Sequence, residues 1–168
     1  MHWYPFYTLP RHEKKVAAAL EKEGTEYYLP LLKVLRKWSD RKKWVEEPLF
    51  KSYIFVRTQY PSSGFYKIIS RPGIVRSVSF EGKPRFVSDD EINAIRQLLE
   101  KGYTIKAVNM PLKKGTPVEI SSGPLMGMKG EVMGKGTKGK FIIRINTINT
   151  ALKVDISADF LTVTGKQK

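Results

Sequence analysis

The chain contains no cysteine. That excludes a disulfide framework and every thiolate metal site, and it fits a reducing cytosol. Histidine is almost as scarce. His2 and His12 both fall near the start, and no pair of ligands at zinc-site spacing accompanies them. No nucleophile stands beside a base in the sequence, so the residues point away from an enzyme and imply no cofactor or metal, although a triad assembled in space leaves no trace of this kind. No apolar run approaches the ~18 residues that a membrane-crossing helix needs. Met1-His2-Trp3-Tyr4-Pro5 lacks the basic-then-apolar layout of a signal peptide. A cytoplasmic, monomeric protein with no membrane partner is expected. Acidic residues are also in deficit: 16 Asp+Glu against 30 Lys+Arg leave a net charge of +14 on 168 residues. Such an excess favours polyanionic partners and says nothing about fold. Composition is otherwise globular, and the length suits one compact domain or two small ones.

Residues 3–8 (WYPFYT) are aromatic with one threonine and predict a short strand, with Pro5 suited to a sheet edge. Residues 11–23 predict a helix that Gly24 ends. Val16 and Leu20 would face inward, with Arg11, Lys14, Lys15 and Lys22 mostly outward. Segments 26–35 and 44–57 predict the strands of a long hairpin with a basic tip around Ser39-Asp40. FYKIISRPG (65–73) predicts a short helix stopped before Pro72, and IVRSVSF (74–80) an alternating strand. Ser88 and Glu91 then have the spacing of a capping box, Asp89 and Asp90 suit the positive end of a helix dipole, and Ile92, Ile95, Leu98 and Leu99 form one apolar stripe before Gly102. Helices mixed with antiparallel strands imply an α+β domain, an antiparallel sheet flanked by helices. Residues 103–112 show no clear period and are expected to link domain 1–102 to domain 113–168. In the second domain TPVEI, KGEVMG, KFIIRIN, ALKVDI and FLTVT, separated by glycines, suggest a small β-barrel.

Three stretches carry candidate chemistry. GKGTKGK (134–140) superficially fits the start of a phosphate-binding loop. Phe141 stands where a Mg²⁺-binding hydroxyl belongs, and β-like residues follow, so a hairpin turn is expected instead. LRKWSDRKKW (35–44) interleaves Arg36, Lys37, Arg41, Lys42 and Lys43 with Trp38 and Trp44. Cations neutralise phosphates and indoles stack on bases; equally, this is a solvated tip whose tryptophans pack on the sheet. EEPLFKSYIFV (46–56) has two largely apolar faces if it is one strand. Lys51 argues that Phe50, Ser52, Ile54 and Val56 form the core face. Leu49, Tyr53 and Phe55 would then be at least partly exposed, with Tyr7 beside them, as a protein-binding patch. A helix covering that face, with Lys51 reaching water past it, explains the pattern as well.

Several of these pieces, in order, resemble the NusG family of transcription elongation factors over nearly the whole chain. Trp3-Tyr4 before a basic helix, YYLP (27–30), EPLFKSYIFV (47–56), RPGIVRSVSF (71–80) and VSDDEINAI (87–95) are similar to its N-terminal (NGN) domain, and KKGTPVEISSGPLMGMKGEV (113–132) to its SH3-like KOW barrel. The wording of EPLF…Y.FV is closer to specialised paralogues of the RfaH and UpxY type. The resemblance implies a non-enzymatic antitermination factor whose NGN domain binds the clamp of RNA polymerase and suppresses pausing or termination, on specific operons such as those for polysaccharide synthesis. By position it implies Tyr7, Leu49, Phe50, Tyr53 and Phe55 for the polymerase pocket, with Phe50 at odds with strand parity. It implies Arg11, Lys14, Lys15, Lys22 and Arg71 as contacts to non-template DNA or nascent RNA. The His-Thr-Thr motif of RfaH-like members is absent from SSGFYK (62–67). Gly123, Pro124, Gly127 and Gly130 would form the KOW loop through positive φ, ahead of Phe141 and Ile143, and ribosomal protein S10 or Rho are implied KOW partners. An RNA-binding or ribosome-associated KOW protein is the rival reading.

Overall fold

The aromatic N-terminal segment is strand β1, His2–Thr8, in a computed structural model that describes residues 1–109, 115–133 and 140–164. After it come helix α1 (Glu13–Lys22), strands β2 (Tyr27–Tyr28), β3 (Leu31–Lys37), β4 (Lys42–Pro48) and β5 (Tyr53–Thr58), helix α2 (Ser63–Ile69), and strands β6 (Ile74–Ser77), β7 (Ser79–Phe80) and β8 (Lys83–Pro84). Helix α3 (Asp89–Glu100) precedes strands β9 (Ile105–Asn109), β10 (Thr116–Ile120), β11 (Lys129–Met133), β12 (Lys140–Ile145), β13 (Thr150–Val154) and β14 (Leu161–Val163). Two compact units result, Met1–Asp89 and Asp90–Lys168.

In the first unit the strands lie in the order β2-β5-β1-β6, all antiparallel. Strand β1 is therefore internal rather than the edge that Pro5 suggested. The proline is tolerated because pairing with β6 begins only at Phe6–Ser77, and Pro5 needs only to accept from the Val78 N–H. Alternation sends Tyr4 and Phe6 of β1 and Ile54 and Val56 of β5 to one face, where Val16, Ala17 and Leu20 of α1 and Phe65 and Ile68 of α2 cover them. The expected inward pair Val16 and Leu20 is thus correct. Each such side chain contributes about 1.5–3 kcal/mol by leaving water.

The segment 44–57 is not one strand. It breaks at residues 49–52, and β3 and β4 form a separate two-stranded ribbon. The break is held by a residue distant in sequence. The Glu13 carboxylate, buried in the first turn of α1, accepts the Ser52 N–H at 2.7 Å, and the Ser52 carbonyl accepts from Thr8 N–H. Ser52 itself sits at φ +61°, a conformation that ends strand alternation.

In the second unit six antiparallel strands lie in the order β14-β10-β11-β12-β13-β9. The five expected strand segments all form, within a residue or two of their sequence limits. Residues 105–109, within the segment expected to be a linker, form β9 and pair with β13 from Asn109–Thr150 to Ile105–Val154. Val118, Ile120, Phe141, Ile143, Ile145, Leu152 and Val154 supply the core. The GKGTKGK stretch lies outside the described residues up to Gly139, as do residues 110–114 of the expected linker and KOW start.

Candidate functional site

The opposite face of the first sheet carries Trp3, Pro5 and Tyr7 of β1, set directly across from Arg57, Phe55 and Tyr53 of β5. Most of it is closed. Trp3 is buried, Phe55 is 0% exposed, and Leu49 and Phe50 are buried too, with the Phe50 ring edge-on to Phe55 at 5.7 Å. The expectation of an exposed patch built from Leu49, Tyr53 and Phe55 is therefore corrected for Leu49 and Phe55. Alternation assigns a side chain to a face but not to water. Phe50 likewise leaves the core face that parity chose, because the turn at 49–52 resets the register.

The Tyr7–Tyr53 end of this face reaches solvent. There Tyr7 and Tyr53, half-buried, tilt together with ring centroids 4.5 Å apart, and the Tyr53 hydroxyl donates to the Tyr7 hydroxyl at 2.6 Å. Arg76, opposite Tyr7 on β6, lays its guanidinium 4.8 Å from the Tyr7 ring centroid. Burial, then the hydrogen bond with Tyr7, pushes the Tyr53 phenol up, so it stays neutral across the physiological range. The corner offers two flat apolar rims, one neutral hydroxyl pair and one cation held by its π contact. Arg76 was missed in sequence: its partner lies 69 positions away, and only the β1–β6 register joins them.

The expected nucleic-acid contacts divide. Arg11, Lys14, Lys15 and Lys22 are exposed on or just before α1. Arg11 and Lys14 line an open cleft of about 610 Å³ together with Arg36 and Lys51, but Glu46 and Glu47 line it as well. Arg36 is engaged by Glu47 at 2.6 and 2.9 Å. Arg71 is bound by Glu23 through both terminal nitrogens, at 2.8 and 2.7 Å, and its side chain is 9% exposed. It clamps the end of α1 to the turn after α2 and has little surface left for a phosphate. Lys37, Arg41, Lys42 and Lys43 are exposed on the β3–β4 ribbon. The alternative that both tryptophans pack on the sheet is overturned by their exposure.

In the second unit the loop before β11 is made by Gly123 and Gly127 at φ +84° and +86°, as expected, and Leu125 between them is buried. Pro124 is exposed in this loop. Gly130 serves differently. It lies on β11, where a Cβ would come within 2.6 Å of the Phe141 ring and of the Ile142 carbonyl oxygen. Phe141 itself is fully buried on β12.

Residues 1–96 match the family described as Transcription termination factor nusG. The chain belongs to the NusG family. Its α+β first unit and the small SH3-like unit after it are the NGN and KOW parts of that family, which is one of transcription termination and antitermination factors rather than of enzymes. The chain is similar to the transcription termination/antitermination protein NusG of Streptococcus pyogenes, 25% identical over 167 residues with 92% of each chain covered. It is similarly related to the protein of that name from Staphylococcus carnosus, 24% identical over 170 residues covering 94% of this chain and 92% of the relative. Among solved structures it resembles Thermotoga maritima NusG, with a TM-score of 0.54 and 23% identity over 98% of this chain and 97% of the other, a likeness of fold. Among the described residues, no helix is long and apolar enough to cross a membrane and no cluster of His, Asp or Glu could hold a metal ion.

Proposed function

We propose that this NusG-family chain is an elongation factor acting as an antiterminator, and that it holds the clamp of RNA polymerase at the Tyr7–Tyr53–Arg76 corner. The observation that carries the reading is that corner. Of the residues the family resemblance picks for the polymerase pocket, Tyr7 and Tyr53 meet at the open end of the sheet face, and buried Phe55 lies behind them on β5. Aromatic rims with an arginine suit the anchor of a protein interface. Leu49, Phe50 and Phe55 then act as the pocket's floor and not as its contact surface. Binding is the whole effect: a factor that prefers the clamp of the elongating enzyme shifts polymerase toward that state by its difference in affinity. The KOW unit recruits a further factor such as ribosomal protein S10 or Rho, the setting is the cytoplasm, and the wording of EPLFKSYIFV favours a specialised paralogue serving particular operons.

The test is retention of the full chain on immobilised RNA polymerase at physiological salt, with a pause assay alongside. Tyr53→Ala is expected to weaken retention about tenfold or more, the effect of losing an aromatic anchor, and to lengthen pauses relative to the native chain. Absence of native-chain binding to polymerase overturns the proposal and leaves the RNA-binding or ribosome-associated reading.

A further inference from the structure

Among the described residues, strands β3 and β4 pair only with each other. Their register sets Leu35 against Trp44, Lys33 against Glu46 and Lys37 against Lys42 on one face of the ribbon, and Val34 against Val45 and Arg36 against Lys43 on the other. The ribbon turns its valines inward and its tryptophan outward. Val34 and Val45 are partly buried, whereas Trp44 is 65% exposed, Leu35 is 49% exposed, and Trp38 at the turn is 46% exposed. Arg36, on the valine face, is neutralised by Glu47, while Lys37 and Lys42 on the Trp44 face, and Lys43 on the valine face, make no ion pair among the described residues. Asp40 is the only acidic residue between Lys33 and Trp44. Like charges directly opposite each other, as at Lys37 and Lys42, destabilise a strand pair. Such a juxtaposition costs the ribbon stability, a cost that a polyanion lying across it would offset.

We infer that the Trp44 face of this ribbon binds single-stranded nucleic acid, with a base stacked on the Trp44 indole and phosphates held by Lys37 and Lys42. An open indole face takes any unpaired base, because every base has a π face. Its one N–H offers no bidentate reading of a base edge, so recognition here is of single-strandedness more than of sequence. The inference rests on the ribbon alone and needs no polymerase.

Fluorescence anisotropy of the full chain with labelled twelve-nucleotide oligouridylate, oligothymidylate and a twelve-base-pair duplex tests it at 50 and 200 mM salt. At least one single strand is expected to bind more tightly than the duplex, and the two arms tell whether RNA or DNA is preferred. Trp44→Ala should weaken single-strand binding about 5- to 150-fold without changing the salt slope, and Trp44→Phe should retain most of the affinity. Replacing Lys37 and Lys42 together by Gln should reduce the log–log salt slope by about 1.4. An unchanged thermal midpoint for Trp44→Ala shows that the fold is kept. Duplex binding as tight as that of both single strands, or native affinity in Trp44→Ala, overturns the inference. Because no polymerase is present, either result leaves the clamp proposal standing, and failure of clamp binding leaves this inference standing.

Discussion

Tyr53 and Phe55 sit two positions apart on the same face of β5 and carry opposite loads. The Phe55 ring is fully enclosed beside Phe50, whereas Tyr53 is half in water with its hydroxyl on Tyr7. Phe55→Ala is therefore expected to cost about 3–5 kcal/mol of stability, read by urea unfolding, because it leaves a cavity in closed packing. That outcome follows from the correction of Phe55 from a partly exposed residue, as the sequence suggested, to a fully buried one. Tyr53→Phe, which loses only one half-exposed hydrogen bond, should stay within about 1 kcal/mol of the native chain in the same measurement. If Phe55→Ala is as stable as native, this face of the sheet is not closed. Tyr7 beside Tyr53 was legible from their aromatic character and their expected strand positions. The burial of Phe55 was not, because what covers a sheet face is chosen by chain segments far away in sequence.

At the scale of elements, two contacts decide how pieces are joined. Glu23, at the end of α1, accepts from Arg71 beyond α2 and lies 3.0 Å from Lys67 within α2. Hydrogen bonds from Arg71 first, then from Lys67, hold its carboxyl at about 2, below the ordinary 4.5. A depressed carboxyl stabilises the fold fully above its unfolded pKa and loses that contribution as pH falls through the folded one. The difference in thermal midpoint between the native chain and Glu23→Gln should thus be constant above about pH 5, shrink between 4.5 and 2, and vanish below. A gap that persists unchanged at pH 2 would assign the difference to something other than this ion pair. On β11, Gly130→Ala forces a methyl against the Phe141 ring and the Ile142 carbonyl. Overpacking of this kind costs about 1–3 kcal/mol, measurable as a lower urea midpoint; an unchanged midpoint would mean that β12 yields freely. Sequence reading foresaw glycines in this region but attributed all of them to positive φ. Only the pairing of β11 with β12 reveals that Gly130 is small because Phe141 is close.

For the whole molecule, the excess of basic over acidic residues names the class of partner but not the place where it binds. The structure spends part of that charge internally, on Arg36–Glu47, Arg71–Glu23 and Arg144–Glu131, and leaves the ribbon lysines open. The polymerase and oligonucleotide experiments test two separate surfaces of the same chain for this reason. The sequence by itself determined the α+β order, the strands of the KOW unit, the helix stripes and the family, because all of these depend on local periodicity and on motifs in order. Tertiary structure decided which apolar face is closed, where the long strand breaks at Ser52, that β9 joins the second sheet, and which cations remain free. Each of those depends on a partner distant in the chain, such as Glu13 for Ser52, β13 for β9 or Glu23 for Arg71, and no local pattern records such a partner.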